Sequence, residues 1–169
     1  PVPVPPSHPR APGRAGWPLA SYMDYGPLPD TVPTARARTK VVLREWGPRF
    51  DPVADDTLLV VTELVSNAVT ASRALVAARP VRLWLRSNWA RVLVLVGDES
   101  PAPPLLFAPG VDAEHGRGLS VVTKLSSGWG WYPATSYGLA KVVWAEWRLP
   151  SMTGQGPATG QPRLCGSAP

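Results

Sequence analysis

An α/β (α+β) two-layer sandwich, with three helices on one face of a mixed, mostly antiparallel sheet, is the fold class this sequence predicts, and three features predict it. Residues 55–79 contain no Pro or Gly, and Leu58, Val61, Val65, Ala68, Val69, Ser72 and Leu75 recur at helical spacing. They predict one amphipathic helix of roughly 38 Å at ~1.5 Å per residue. Residues 92–96, Val-Leu-Val-Leu-Val, are apolar on both faces and predict a central strand bordered by other strands and covered by helix. Around them, shorter segments switch between alternating and helical patterns, in the order β, α, α, β, β, lid, α, β, β.

Each element has a local reason. Leu19 to Tyr25 predicts a short edge strand, closed by the turn-forming Gly26-Pro27-Leu28-Pro29-Asp30. A first helix starts at Thr31, with Asp30 or Thr31 as N-cap and Pro33 in the first turn, where a missing amide costs little. Gly47-Pro48 stops it. Asp51-Pro52 signals the start of the central helical region, with Asp55 and Asp56 near its positive end. The helix is expected to run to Arg79, before Pro80. Val81, Leu83 and Leu85 alternate with Arg82, Trp84 and Arg86, the period of a strand with one buried face. After a turn at Ser87-Asn88 comes the central strand, ending at Asp98. Residues 100–114, with Pro101, Pro103, Pro104, Pro109 and Gly110, predict an irregular segment of the length that is usually functional or mobile. A short helix over 118–125 follows, then strands around 127–132 and 139–149, the last with Val143, Ala145, Trp147 and Leu149 on one face.

Composition bounds the function. The 169 residues suit one domain with tails. Of the 22 prolines, ten precede Thr34 and four lie at or beyond Pro150. The expected organisation is therefore a disordered Pro-rich tail over 1–18, a folded domain over 19–149 and a second disordered tail over 150–169. A net charge of +5 raises nucleic acid as a partner, yet only 17% of residues are charged and no run of four Lys or Arg occurs. Nucleic acid is not the expected partner. Cys165 is the single cysteine, which excludes an intrachain disulfide and a cysteine-based zinc site. No apolar run approaches the ~18 residues of a membrane span, and the N-terminus has no signal-peptide core. A cytoplasmic setting is expected.

Within the long helix, Glu63, Ser66, Asn67 and Thr70 fall at i, i+3, i+4 and i+7 and form one polar stripe. Such a stripe ordinarily faces water. Here Val60 and Leu64 flank it, and a carboxylate and an amide bordered by aliphatics suit a pocket wall. Asp98 is in the first instance a turn former, and functionally an acceptor for an exocyclic amine such as that of adenine. Gly116-Arg117-Gly118-Leu119 is either a flexible loop exit or a place where amides at a helix start approach phosphate, with Arg117 adding charge. Neither GxGxxG nor GxxxxGK[ST] occurs, so two common nucleotide folds are excluded. Asn67 offers a neutral oxygen to Mg²⁺, and Glu63, one turn earlier, could take a proton from an attacking hydroxyl.

Taken together, Glu63-Leu64-Val65-Ser66-Asn67-Ala68, Asp98 and Gly116-Arg117-Gly118-Leu119 resemble the N, G1 and G2 boxes of the GHKL ATPase superfamily. Within it the chain is similar to the anti-sigma-factor serine/threonine kinase type, stand-alone ATP-binding regulators often found in actinobacteria. Ala35-Arg36, Asp98-Glu99-Ser100-Pro101, Trp129-Gly130 and Lys141-Val142-Val143-Trp144 extend the resemblance over about 19–149. It implies a Bergerat-type fold binding ATP and Mg²⁺. Glu63 would be general base, Asn67 the Mg²⁺ ligand and Asp98 the adenine contact, with Ser100 and Leu119 beside the nucleotide and Gly116, Arg117 and Gly118 on its phosphates. The implied partner is a sigma factor or an anti-anti-sigma-like regulator whose Ser or Thr receives the γ-phosphate. A homodimer mate or an acidic partner would meet Arg36, Arg38 and Arg44 of the first helix. The alternative is a catalytically inert module that uses ATP as a structural ligand and sequesters a sigma-like protein. The sequence departs from the pattern at Ser100 and Ala102, where the superfamily has glycines, at Ala71, where the subgroup often has His, and at Val142, where Thr is common. The last two exchanges bear on catalysis more than on nucleotide binding.

Overall fold

The computed structural model describes residues 16–73, 75, 80–104, 118–134 and 138–151. Its elements are β1 (Leu19–Tyr25), α1 (Thr31–Trp46), a 3₁₀ turn (Pro48–Phe50), α2 (Asp51–Arg73), β2 (Val81–Ser87), β3 (Arg91–Asp98), α3 (Gly118–Leu125), β4 (Gly128–Pro133) and β5 (Lys141–Arg148). The five strands lie in the order β1-β2-β3-β5-β4, and every pairing is antiparallel. β3 is thus the middle strand, buried on both faces from Val92 to Asp98, as its two-sided apolar run predicts.

The two faces of the sheet have different partners. One cluster joins Val42 and Leu43 of α1, Val61, Leu64 and Val65 of α2 and Leu119 and Val122 of α3 to Leu83, Leu85, Val94, Val96, Val143, Ala145 and Trp147 of the strands. All three helices therefore cover the same face. The opposite face carries Leu93, Leu95, Val142 and Trp144, screened by Trp17, Trp84, Tyr132, Ala134 and Leu139 and, among the described residues, by none from a helix. Trp17 already packs there, two residues before the expected start of the domain. Burying each such aliphatic side chain contributes about 1.5–3 kcal/mol.

Several boundaries differ from the sequence-based expectation. α2 starts at Asp51, where Asp51-Pro52 signals it, with Pro52 fitting the first turn, but it ends at Arg73 rather than Arg79. Leu75 lies beyond the helix, and its amide donates to Ser72 O at 3.1 Å, a tighter closure than the helical i→i+4 bond. The rest of 74–79 is outside the described residues, as are positions 105–114 of the Pro-rich segment and most of both tails. Asp30 occupies the N-cap of α1, but its carboxylate makes no capping bond. Instead the Thr31 hydroxyl donates to Gly26 O and the Thr34 hydroxyl to Asp30 O. α1 ends where Gly47 takes φ +108°, a backbone state open to glycine. No described helix is long and apolar enough to cross a membrane.

Candidate functional site

The polar stripe of α2 divides by depth. Glu63 is half-buried, whereas Ser66, Asn67 and Thr70 are exposed, and Val60, Val61, Leu64, Val65, Ala68 and Val69 beside them are buried. The stripe does not simply face water, because α3 starts against it. A Cβ built on Gly118 would lie 2.7 Å from Glu63 Oε2 and 3.3 Å from Asn67 Nδ2. The carboxylate and the amide, one turn apart on α2, thus both face the backbone at the first residue of α3. Only glycine leaves that space open. Leu119, next in the chain, is buried and anchors the helix start in the core.

At its far end α3 is tied down by side chains. Trp147 Nε1 donates to Leu125 O at 2.7 Å and Trp129 Nε1 to Thr123 Oγ1 at 2.8 Å. The Ser126 hydroxyl donates back to Val122 O, and the Ser127 amide joins Glu146 O on β5. These contacts fix the helix, and so the distance from Gly118 to α2.

Asp98 ends β3. Alternation along the strand puts it on the helix-bearing face with Val92, Val94 and Val96, since Gly97 pairs with Val142 on the other side. Its cross-strand neighbour is Lys141, the first residue of β5. Lys141 Nζ donates to Asp98 Oδ1 at 2.7 Å and to Ser100 O at 3.0 Å, and the Ser100 amide donates to the same Oδ1 at 2.8 Å. Lys141, Asp98 and Ser100 are all buried. Ser100, which stands where a glycine is common, is therefore held by its own backbone in a closed turn. Burial raises the Asp98 carboxyl above its ordinary value, and Glu99 adds to the rise. The hydrogen bond and charge of Lys141 and the Ser100 amide oppose it.

Of the residues singled out by sequence, the structure brings Glu63, Asn67 and Gly118 together and sets Asp98 beside Ser100 on the same face of the sheet. Gly116 and Arg117 lie outside the described residues. Val142 belongs to the outer cluster, so the exchange of Thr for Val there does not touch the helix-bearing face. Sequence reasoning used Lys141 only as part of a motif and missed its pairing with Asp98. One signal was available: a Lys opening an apolar strand is a charge that burial must pair. Among the described residues no group of three or more His, Cys, Asp or Glu could hold a metal ion. A hard cation would need most of its oxygen ligands from a bound polyphosphate and water, with Asn67 and Glu63 as the nearby oxygen donors.

An open antiparallel sheet with three helices on one face is consistent with the sandwich of a GHKL-type ATPase domain. A model of the histidine kinase-like ATPase domain matches residues 26–131, more than half of the 169, and the chain belongs to that family. The match takes in Glu63, Asn67, Asp98 and Gly118 and ends before Lys141. No curated protein matches the chain.

Proposed function

We propose that this chain is an ATP-binding regulatory protein acting as a serine/threonine protein kinase of the anti-sigma regulatory type. The observation that supports the reading is the approach of the Glu63 carboxylate and the Asn67 amide to Gly118, a helix start suited to phosphate. Asp98 accepts a hydrogen bond from the adenine amine, and Gly116, Arg117 and Gly118 meet the phosphates. Asn67 would hold Mg²⁺, which would offset the charge of the phosphoryl group that the nucleotide supplies. Glu63 takes the proton from the Ser or Thr hydroxyl of the partner, a sigma factor or an anti-anti-sigma-like regulator, as its oxygen bonds to the γ-phosphorus and the bond to ADP breaks. The expected setting is the cytoplasm, within a domain over 19–149 and with Arg36, Arg38 and Arg44, exposed on α1, as a surface for an acidic partner or a second copy.

Ala71 favours a second reading. It lies one turn beyond Asn67 on α2 and brings no polar group to the stripe, which suits a module that binds ATP and sequesters its partner without phosphorylating it. Labelled ATP supplied with proteins encoded beside this one separates the two. A kinase labels a Ser or Thr of one of them, and Glu63→Ala lowers that labelling by about 10²–10⁴-fold while ATP still binds. A binding module labels nothing, and the substitution leaves partner capture unchanged.

A further inference from the structure

Lys141 and the Ser100 amide place both of their hydrogen bonds on one oxygen of Asp98, Oδ1. Oδ2 takes no hydrogen bond among the described residues. The buried side-chain polar atoms without a partner there are Thr57 Oγ1 and Ser72 Oγ, so Oδ2 is not sealed off as an orphan, although Asp98 as a whole is only 2% exposed. Among the described residues Asp98 therefore has one carboxylate oxygen without a donor, held in direction by a closed turn and by a buried ammonium on the neighbouring strand.

The grammar of hydrogen bonds gives that arrangement a consequence. An ionised carboxylate only accepts, while a protonated one can also donate. At the same ring position adenine carries an amine, which donates, and hypoxanthine and guanine carry a keto oxygen, which accepts. We propose that Lys141 sets the base specificity of the site: by occupying Oδ1 it leaves Asp98 an acceptor at Oδ2, so that a base with an exocyclic amine is taken and one with a keto oxygen is refused. The proposal rests on the reading of Asp98 as the adenine contact. The charged groups acting on Asp98 are Lys141 from β5 and Glu99 beside it in the turn. Without Lys141, burial and Glu99 both favour the protonated carboxyl, opposed among the described residues by the Ser100 amide. A protonated Oδ2 would donate to the keto oxygen that the wild-type site rejects.

The test compares binding of ATP and ITP, which differ in that substituent and in the proton on the adjacent ring nitrogen, to the full chain at neutral pH in the presence of Mg²⁺. The wild type is expected to bind ATP at least about tenfold tighter than ITP. Lys141→Met and Lys141→Gln should lose that preference or reverse it and regain it as pH rises, whereas Lys141→Arg, which keeps the charge, should retain it. Gln removes the charge that favours the ionised carboxylate, ends one atom short of the Lys141 Nζ position, and serves should Met not fold. Weakening of both nucleotides alike in the Met or Gln variant, with the ratio unchanged, would make Lys141 a structural staple only and overturn the proposal while leaving ATP binding intact. Equal wild-type binding of ATP and ITP removes the role of Asp98 and the proposal with it. Binding of neither overturns the ATP-binding reading itself.

Discussion

Glu63 and Gly118 stand so close that there is room for a hydrogen between them and none for a methyl group, the Cβ position lying 2.7 Å from Glu63 Oε2. The relationship separates folding from function. The obstructing atom is the tip of a flexible side chain, so Gly118→Ala can be accommodated by swinging the carboxylate aside, and alanine favours a helix by up to ~1 kcal/mol over glycine. The melting temperature is expected to stay within a few degrees of wild type. Phosphotransfer, which needs Glu63 in place, should fall by about 10²-fold. Thermal melting paired with the labelled-ATP assay reads both, and full activity in the variant would show that Glu63 does not act from this position.

Nucleotide binding should also be visible as stability. With Mg-ATP at ~100 times its dissociation constant, the folded state gains about 2.7 kcal/mol, a rise of several degrees in melting temperature for a domain of this size. A melting curve indifferent to Mg-ATP would mean a scaffold that keeps the fold without the ligand.

The Asp98 carboxyl leads to opposite pH dependences for stability and for binding. Burial holds it above the ordinary 3.8 despite Lys141. Over the window between that value and the raised one, the folded chain keeps a proton that the unfolded chain has lost. The contribution of this group to stability is then full below 3.8 and is lost as pH rises through the folded value. Accepting the adenine amine needs the ionised form, so ATP affinity should fall on acidification at a pH above the usual carboxylate range. ATP titrations across pH, with circular dichroism to confirm the fold, test this. Affinity that holds level down to the ordinary carboxylate range would contradict it.

Trp147 secures α3 from the far side. Its indole is buried and Nε1 donates to Leu125 O at 2.7 Å. Trp147→Phe keeps most of the apolar contact and removes the donor, at an expected cost of about 1 kcal/mol, or roughly 2–4 °C in melting temperature. Trp147→Ala should cost about 3–5 kcal/mol. Denaturant titration measures both, and a Trp147→Phe variant as stable as wild type would mean that the hydrogen bond contributes nothing.

Much of this domain could be read from local pattern. The strands at 19–25 and 91–98 and the helices at 31–46 and 118–125 follow from periodicity, prolines and glycines, because those signals act over a few residues. The end of α2 was harder to read: no breaker stands between Arg73 and Pro80, and Leu75 keeps the helical spacing while its amide turns back to Ser72. The asymmetry of the two sheet faces was legible in part, through Val143, Ala145, Trp147 and Leu149, which do face the helices.

By itself, then, the amino-acid order determined which stretches coil, which extend, and that Glu63 and Asn67 share one stripe. Folding in three dimensions decided the rest. It inserted β5 between β3 and β4, and that register set Lys141 against Asp98 and turned Val142 to the outer face. It also packed the start of α3 onto α2, so that Gly118 meets Glu63. Both contacts join residues more than forty positions apart, and no spacing along the chain encodes them. They depend on strand register and helix packing, which only the assembled core fixes.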